Sequence, residues 1–164
     1  MMKKMTILVA SSGKNVELGN KVKDYASENG FEVSMINLVE LELPLYSTEE
    51  EQNGIPQKAK DLTKSLIDAD SLVVISPEYN GSMAPSLNNA VAWVSRSSEQ
   101  WREAFNGKPT VIGTHSGGGG VNVLMAMRQQ LSYLGANVIG RQLHTNYSKE
   151  LSADSLNGCL SQLK

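Results

Sequence analysis

The chain has 164 residues, 40% of them hydrophobic and 20% charged, with a formal net charge of −2; this is the make-up of an ordinary globular protein and excludes a disordered, fibrous or collagen-like one. So mild a charge points to no polyanion, and no nucleic-acid partner is expected. No apolar run approaches the ~20 residues of a bilayer-spanning helix, so no membrane partner is expected either.

The length suits one domain, 1–164, with a single core. Cys159 stands alone, so it closes no internal disulfide and fits no zinc spacing. No metal is expected, and a reducing cytoplasm is the expected setting. Lys3 and Lys4 precede an apolar run too short for the core of a signal peptide.

Thr6 to Ala10 is the first predicted element, short and almost continuously apolar, as a strand buried on both faces should be. It runs into Ser11-Ser12-Gly13-Lys14-Asn15, which combines hydroxyls, a permissive glycine, a cation and the start of a helix. A phosphate site needs those groups, because first-turn N–H groups and the helix dipole favour an anion. A polar turn that only caps the helix uses the same residues. Leu18, Val22 and Tyr25 then lie on one helical face, and Gly30 is placed to end the helix. Phe31, Val33 and Met35 alternate with Glu32 and Ser34, predicting an edge strand. The acidic stretch with Glu40, Glu42, Glu49, Glu50 and Glu51 reads as a solvated surface loop. Ala59, Leu62 and Leu66 stripe the next helix.

Leu72 to Ser76 repeats the buried-strand pattern and opens into Ser76-Pro77-Glu78-Tyr79-Asn80-Gly81-Ser82-Met83-Ala84-Pro85. The prolines stiffen this loop, and Asn80-Gly81 can take positive φ and turn peptide groups toward a ligand. Such fixed amides could read the edge of a planar heterocycle. Tyr79 is placed to stack either on a ring or on the protein itself. Glu78 reads as a carboxylate capping neighbouring backbone amides in preference to a proton donor.

A helix with Leu87, Ala90, Val91 and Val94 follows, then the strand Thr110 to Thr114 and the run His115-Ser116-Gly117-Gly118-Gly119-Gly120. Successive glycines remove the side chains that would hold a flat ligand away from the backbone, and their N–H groups can form an anion-favouring nest. Gly118 is expected to touch that ligand in a conformation open mainly to glycine. His115 reads as a hydrogen-bonding loop residue in preference to a catalytic base. Leu124, Met127, Leu131 and Leu134 stripe a helix ending at Gly135; Ala136 to Gly140 is the predicted fifth strand; Leu156, Cys159, Leu160 and Leu163 belong to a last helix.

Strands alternating with helices of this length imply right-handed βαβ units in a three-layer α/β/α fold, with ligands beyond the carboxyl ends of its strands. Several nucleotide and hydrolase signatures are absent. A Walker loop needs glycine and Ser or Thr where the chain has Leu8 and Asn15. The dinucleotide fingerprint, started at Gly117 or Gly118, ends on Asn122 or Val123. The nucleophile-elbow frame from Gly113 puts His115 where serine belongs.

Pro77-Glu78-Tyr79-Asn80-Gly81-Ser82, followed by Leu87, Asn88, Asn89, Ala90 and Trp93-Val94-Ser95, resembles the NADPH-dependent FMN reductase family, which includes quinone, azo-dye and chromate reductases. The glycine run agrees, and Leu43-Pro44-Leu45-Tyr46 resembles a family segment near the flavin or the subunit contact. The resemblance implies a flavodoxin-like fold with a five-stranded parallel sheet ordered 2-1-3-4-5, FMN as cofactor, NADPH or NADH as co-substrate, a small-molecule electron acceptor, and a homodimer or homotetramer. It also implies two half-reactions, nicotinamide to flavin and flavin to acceptor, with no catalytic side chain because the cofactor carries the chemistry. The family's first loop usually reads Gly-Ser-x-Arg-x-x-Ser-x-Asn. Here Lys14 supplies charge without the planar fork of arginine, and the phosphate role passes to Ser11, Ser12, Lys14 and Asn15. Pro77 to Ser82 and His115 to Gly119 complete the expected cofactor contacts. A flavodoxin-like electron carrier, or a non-catalytic domain that kept the fold, are the rival readings.

Overall fold

The structure is a computed structural model describing residues 2–163. Strand β1 (Lys3–Val9) leads through α1 (Lys14–Glu28) to β2 (Phe31–Asn37), and α2 (Thr48–Gln52) and α3 (Gln57–Asp68) lead to β3 (Ser71–Ile75). A short hairpin, β4 (Glu78–Tyr79) and β5 (Ser82–Met83), precedes α4 (Pro85–Ser97) and a 3₁₀ turn at Trp101–Ala104. Then come β6 (Pro109–His115), α5 (Val121–Tyr133), β7 (Asn137–Val138), β8 (Leu143–Thr145), α6 (Ala153–Leu160) and a 3₁₀ turn at Ser161–Leu163.

The main sheet runs β2-β1-β3-β6, all parallel, and its fifth position is filled by β7 and then β8, both parallel to β6. This is the flavodoxin-like order 2-1-3-4-5. Alternation along the central strands divides the core. Leu8, Leu72, Val74 and Ile112 face a layer of α3, α4 and α5, with Leu66, Leu87, Leu124 and Met127. Ile7, Val73, Ile75 and Val111 face the other layer, where α1 and α6 supply Leu18, Val22, Leu156 and Leu160. All five residues of β3 are buried, which is why that segment lacks polar alternation.

The fifth strand departs from the expected Ala136–Gly140. Only Asn137 and Val138 pair there, against Pro109 and Thr110; pairing resumes at Leu143 to Thr145, against Gly113 to His115. Ile139 still donates its N–H to the Thr110 carbonyl at 2.8 Å, and at the break the Arg128 guanidinium of α5 takes up the carbonyls of Val138 and Ile139, donating to them at 3.2 and 2.9 Å.

The acidic stretch is corrected in part: Glu40 and Glu42 lie exposed in a turn, as expected of a solvated loop, but the later glutamates do not. Glu49 to Glu51 lie in α2, which Ser47 caps by accepting from the Glu50 N–H at 3.0 Å. Glu51 takes two guanidinium nitrogens of Arg96 at 2.9 to 3.0 Å and the Tyr46 hydroxyl at 2.8 Å. The Arg96 and Tyr46 bonds hold its carboxyl below the usual range. Asn89 and Trp93 of α4 grip the same excursion by donating to the Pro44 carbonyl at 3.0 and 2.7 Å, and Tyr46 meets the Trp93 ring edge-on.

Candidate functional site

Three loops start in register at one edge. The ladder continues beyond the strands, with Ala10 N–H donating to Ile75 O at 2.9 Å and Ser76 N–H to Gly113 O at 3.1 Å. The loops after β1, β3 and β6 therefore leave the sheet side by side, where the winding reverses.

In the first loop, no side chain caps α1; of its opening N–H groups that of Val16 donates to the Gly13 carbonyl at 2.8 Å, while those of Lys14 and Asn15 have no partner among the described residues. Ser12, Gly13 and Lys14 are exposed, whereas Ser11 is buried and accepts from the Gly13 N–H at 3.2 Å. Lys14 pairs with Glu17 at 3.0 Å in a solvent-exposed bridge, a weak contact that a stronger anion can displace. Asn15 sits elsewhere. Buried, it accepts from the His115 N–H at 2.7 Å and donates to the His115 carbonyl at 2.9 Å. Its amide therefore binds the first loop to the third.

The second loop is the β4–β5 hairpin. Asn80 and Gly81 have φ of 51° and 75°, the pair of left-handed residues that a type I′ turn requires. Ser76 pins its base, donating to the Pro77 carbonyl and accepting from the Ala84 N–H, both at 2.9 Å. Pro77 is buried; Tyr79, Asn80, Gly81 and Ser82 are exposed at the rim. Glu78 accepts from Val123 N–H at 3.2 Å, so the amide it caps belongs to α5.

In the third loop the constraint falls on a different glycine from the one expected. Gly120 has φ of +66°, and a Cβ there would stand 2.9 Å from His144 Nε2; at Gly118 φ is not positive, and a Cβ would meet only Ser116 Oγ at 3.9 Å. A Cβ on Gly119 would meet nothing within 4 Å. Two of the expected ligand amides are already engaged: Ser116 N–H donates to the Thr145 carbonyl at 3.1 Å and Gly118 N–H to Ser116 Oγ at 3.2 Å. Gly117 and Gly119 keep N–H groups with no partner among the described residues. The His115 ring nitrogen Nδ1 lies 3.0 Å from Thr145 Oγ1.

A fourth loop, after β8, escaped sequence reasoning. Tyr147 stands edge-on to the His115 ring, centroids 5.2 Å apart, and its Cε2 would be 3.6 Å from a Cβ on Gly117. His144 of β8 lies below Gly120, a role the sequence does not signal because the residue belongs to no motif. Burial holds its pKa below the ordinary histidine value.

The edge thus offers uncapped helix amides, a rigid turn with outward peptides and a glycine strip bare of side chains. The sequence profile described as NADPH-dependent FMN reductase matches residues 3–150. The chain belongs to that family. Among relatives, a quinone reductase of Escherichia coli (strain K12) is 35% identical over 103 residues, covering 61% of this chain and 53% of its own length. An NADPH azoreductase of Bacillus sp. (strain OY1-2) is 35% identical over 117 residues, covering 69% and 61%. The chain spans about half the length of the first curated relatives it matches. A similar fold is seen in the flavoenzyme NAD(P)H:(acceptor) oxidoreductase of Paracoccus denitrificans, TM-score 0.75 at 21% identity, over 93% of this chain and 85% of the other. The residues fit FMN by the terms of this structure: anion-ready amides lie at one loop, and open backbone for a flat ring at the other two.

Proposed function

We propose that this chain binds FMN at the carboxyl edge and passes electrons from NADPH or NADH to a quinone-like small molecule. The observation that carries the reading is the convergence of the three loops, each suited to a different part of one ligand. The α1 first turn with Ser12 and Lys14 would take the phosphate, Asn80 and Gly81 the polar ring edge, and Gly117 to Gly119 the ring's flank. When bound, FMN supplies hydride acceptance and electron release. The chain would hold and orient it, and the Gly117 and Gly119 N–H dipoles would favour an electron-rich ring. No side-chain acid or base is needed. Donor and acceptor would use one open face in turn, because the strip beside it carries no side chain to divide it.

Among the described residues no helix is long and apolar enough to cross a membrane. The lone buried Cys159 supports a reducing, cytoplasmic setting, and residues 1–164 serve as one flavin-binding unit. A homodimer or homotetramer is part of the proposal: Leu45, 81% exposed beside the docked Pro44 and Tyr46, is an apolar group available for such a contact. The test is spectroscopic. The protein mixed with FMN should retain yellow colour after dialysis, bleach with NADPH without air, and recover with a quinone. Steady-state rates should give parallel double-reciprocal lines. Bleaching by dithionite but by neither nicotinamide would instead mark an electron carrier.

A further inference from the structure

The hairpin and the glycine loop rise from different strands, and a carboxylate joins them. Glu78 on β4 accepts from Val123 N–H in the first turn of α5 at 3.2 Å. The N-cap of that helix is Gly120, which has no side chain to offer, so an amide that would lack a partner obtains one from the neighbouring loop. Contact between the two loops continues above this bond, where the Asn122 side chain would lie 3.9 Å from a Cβ on Gly81. Gly120 is wedged from below by His144 and by Thr114, whose Cγ2 would be 3.1 Å from its Cβ. The glycine strip therefore has a rigid inner end, and the Glu78 bond sets how far it stands from Asn80 and Gly81.

The charge of Glu78 matters as well as its reach. None of the ion pairs among the described residues includes Glu78. The nearby imidazole of His144 has its pKa lowered by burial, which disfavours the cation that would offset a carboxylate. The α5 dipole favours a negative group at this place, so the charge is kept at little cost. Whatever reaction occurs between the two loops takes place beside a carboxylate outside the ion pairs of the described residues.

We propose that Glu78 is a positioning residue of the flavin site: its carboxylate sets the spacing of the hairpin and the glycine loop, and its charge holds down the reduction potential of the ring between them. The inference rests on the flavin reading above. Charge accumulates on the ring during reduction, and a fixed anion opposes it, whereas the free N–H groups of Gly117 and Gly119 favour it. The backbone and Glu78 act against each other, which places the potential between the limits either would impose alone.

Two variants separate spacing from charge. Glu78→Gln keeps an acceptor oxygen at the same reach without the charge, and Glu78→Ala removes both. FMN affinity and the equilibrium midpoint potential of bound FMN are measured for wild type and both variants, with the thermal midpoint of each apoprotein. Glu78→Gln should bind oxidised FMN as tightly as wild type while favouring the reduced form about tenfold more, a positive shift of about 30 mV for a two-electron couple. Glu78→Ala should bind FMN about tenfold more weakly, consistent with loss of a helix-capping bond. An unchanged potential in Glu78→Gln overturns the charge role, and unchanged affinity in Glu78→Ala overturns the spacing role. A lower thermal midpoint in Glu78→Ala with neither flavin property altered would reduce Glu78 to a structural cap and overturn the proposal whole. Failure of wild type to bind FMN is a separate result that removes the flavin reading itself.

Discussion

Each loop at the carboxyl edge pairs an inner residue tied to the fold with an outer one left open. Asn15 is buried against His115 while neighbouring Lys14 lies in solvent; the Ser76 hydroxyl is locked by two hydrogen bonds while Asn80 and Gly81 are exposed; Gly120 is wedged against His144 while Gly118 and Gly119 have room. The inner layer holds the loops in place before any ligand arrives, and the outer layer supplies contacts whose strength appears only on binding. A site prepared this way loses little conformational entropy when filled. Substitutions in the two layers should therefore be read out by different measurements.

The sharpest contrast lies within the glycine loop. Gly120→Val places a branched side chain at positive φ and against His144, and should cost the apoprotein about 2–5 kcal/mol, combining backbone strain with overpacking. Gly118→Val should leave the thermal midpoint within the range of an ordinary surface change, about ±0.5 kcal/mol, yet weaken FMN sharply because its side chain enters the space beside the ring. Equal thermal loss in the two variants would erase the distinction. Next in size is Asn15→Ala, which strands the N–H and carbonyl of His115 and should lower unfolding free energy by about 1–3 kcal/mol, measurable by urea denaturation without ligand. A neutral result would show that the Asn15 clamp contributes nothing to the inner layer.

Lys14→Ala should leave stability nearly untouched, since its exposed bridge to Glu17 is of the kind worth about 0–1 kcal/mol. It should weaken FMN by about 0.5–2 kcal/mol and riboflavin not at all, because only FMN carries the phosphate. Equal losses for the two ligands, by equilibrium dialysis, would move Lys14 away from the phosphate. The smallest effect concerns His144. Its folded-state pKa is lowered, chiefly by burial, so protonation favours the unfolded chain. Stability should be constant above about pH 6.5, the unfolded value, and decline as pH falls from there toward the folded one. His144→Gln should flatten that decline in a thermal series from pH 7 to 5; an unaltered slope would assign it to other groups.

Local pattern was sufficient for the layers of this protein. Short unbroken apolar runs such as Leu72 to Ile75 read as strands buried on both faces, and stripes such as Leu124, Met127 and Leu131 read as one side of a helix, so the alternation of strands and helices and the site edge followed, whereas the strand order came from the family resemblance. The turn at Asn80-Gly81 was legible because few residues accept positive φ. What tertiary structure alone decided were the partners. Arg128 meeting the carbonyls at the break in the fifth strand, Glu51 turning from the expected solvated loop toward Arg96, Asn15 reaching His115 and Gly120 in place of Gly118 as the constrained glycine all depend on groups on different elements. Periodicity reports which face of an element is buried. It contains no information about which polar group on another element meets it, because a hydrogen bond depends on atoms arriving within about 3 Å, and only the packed fold brings them there.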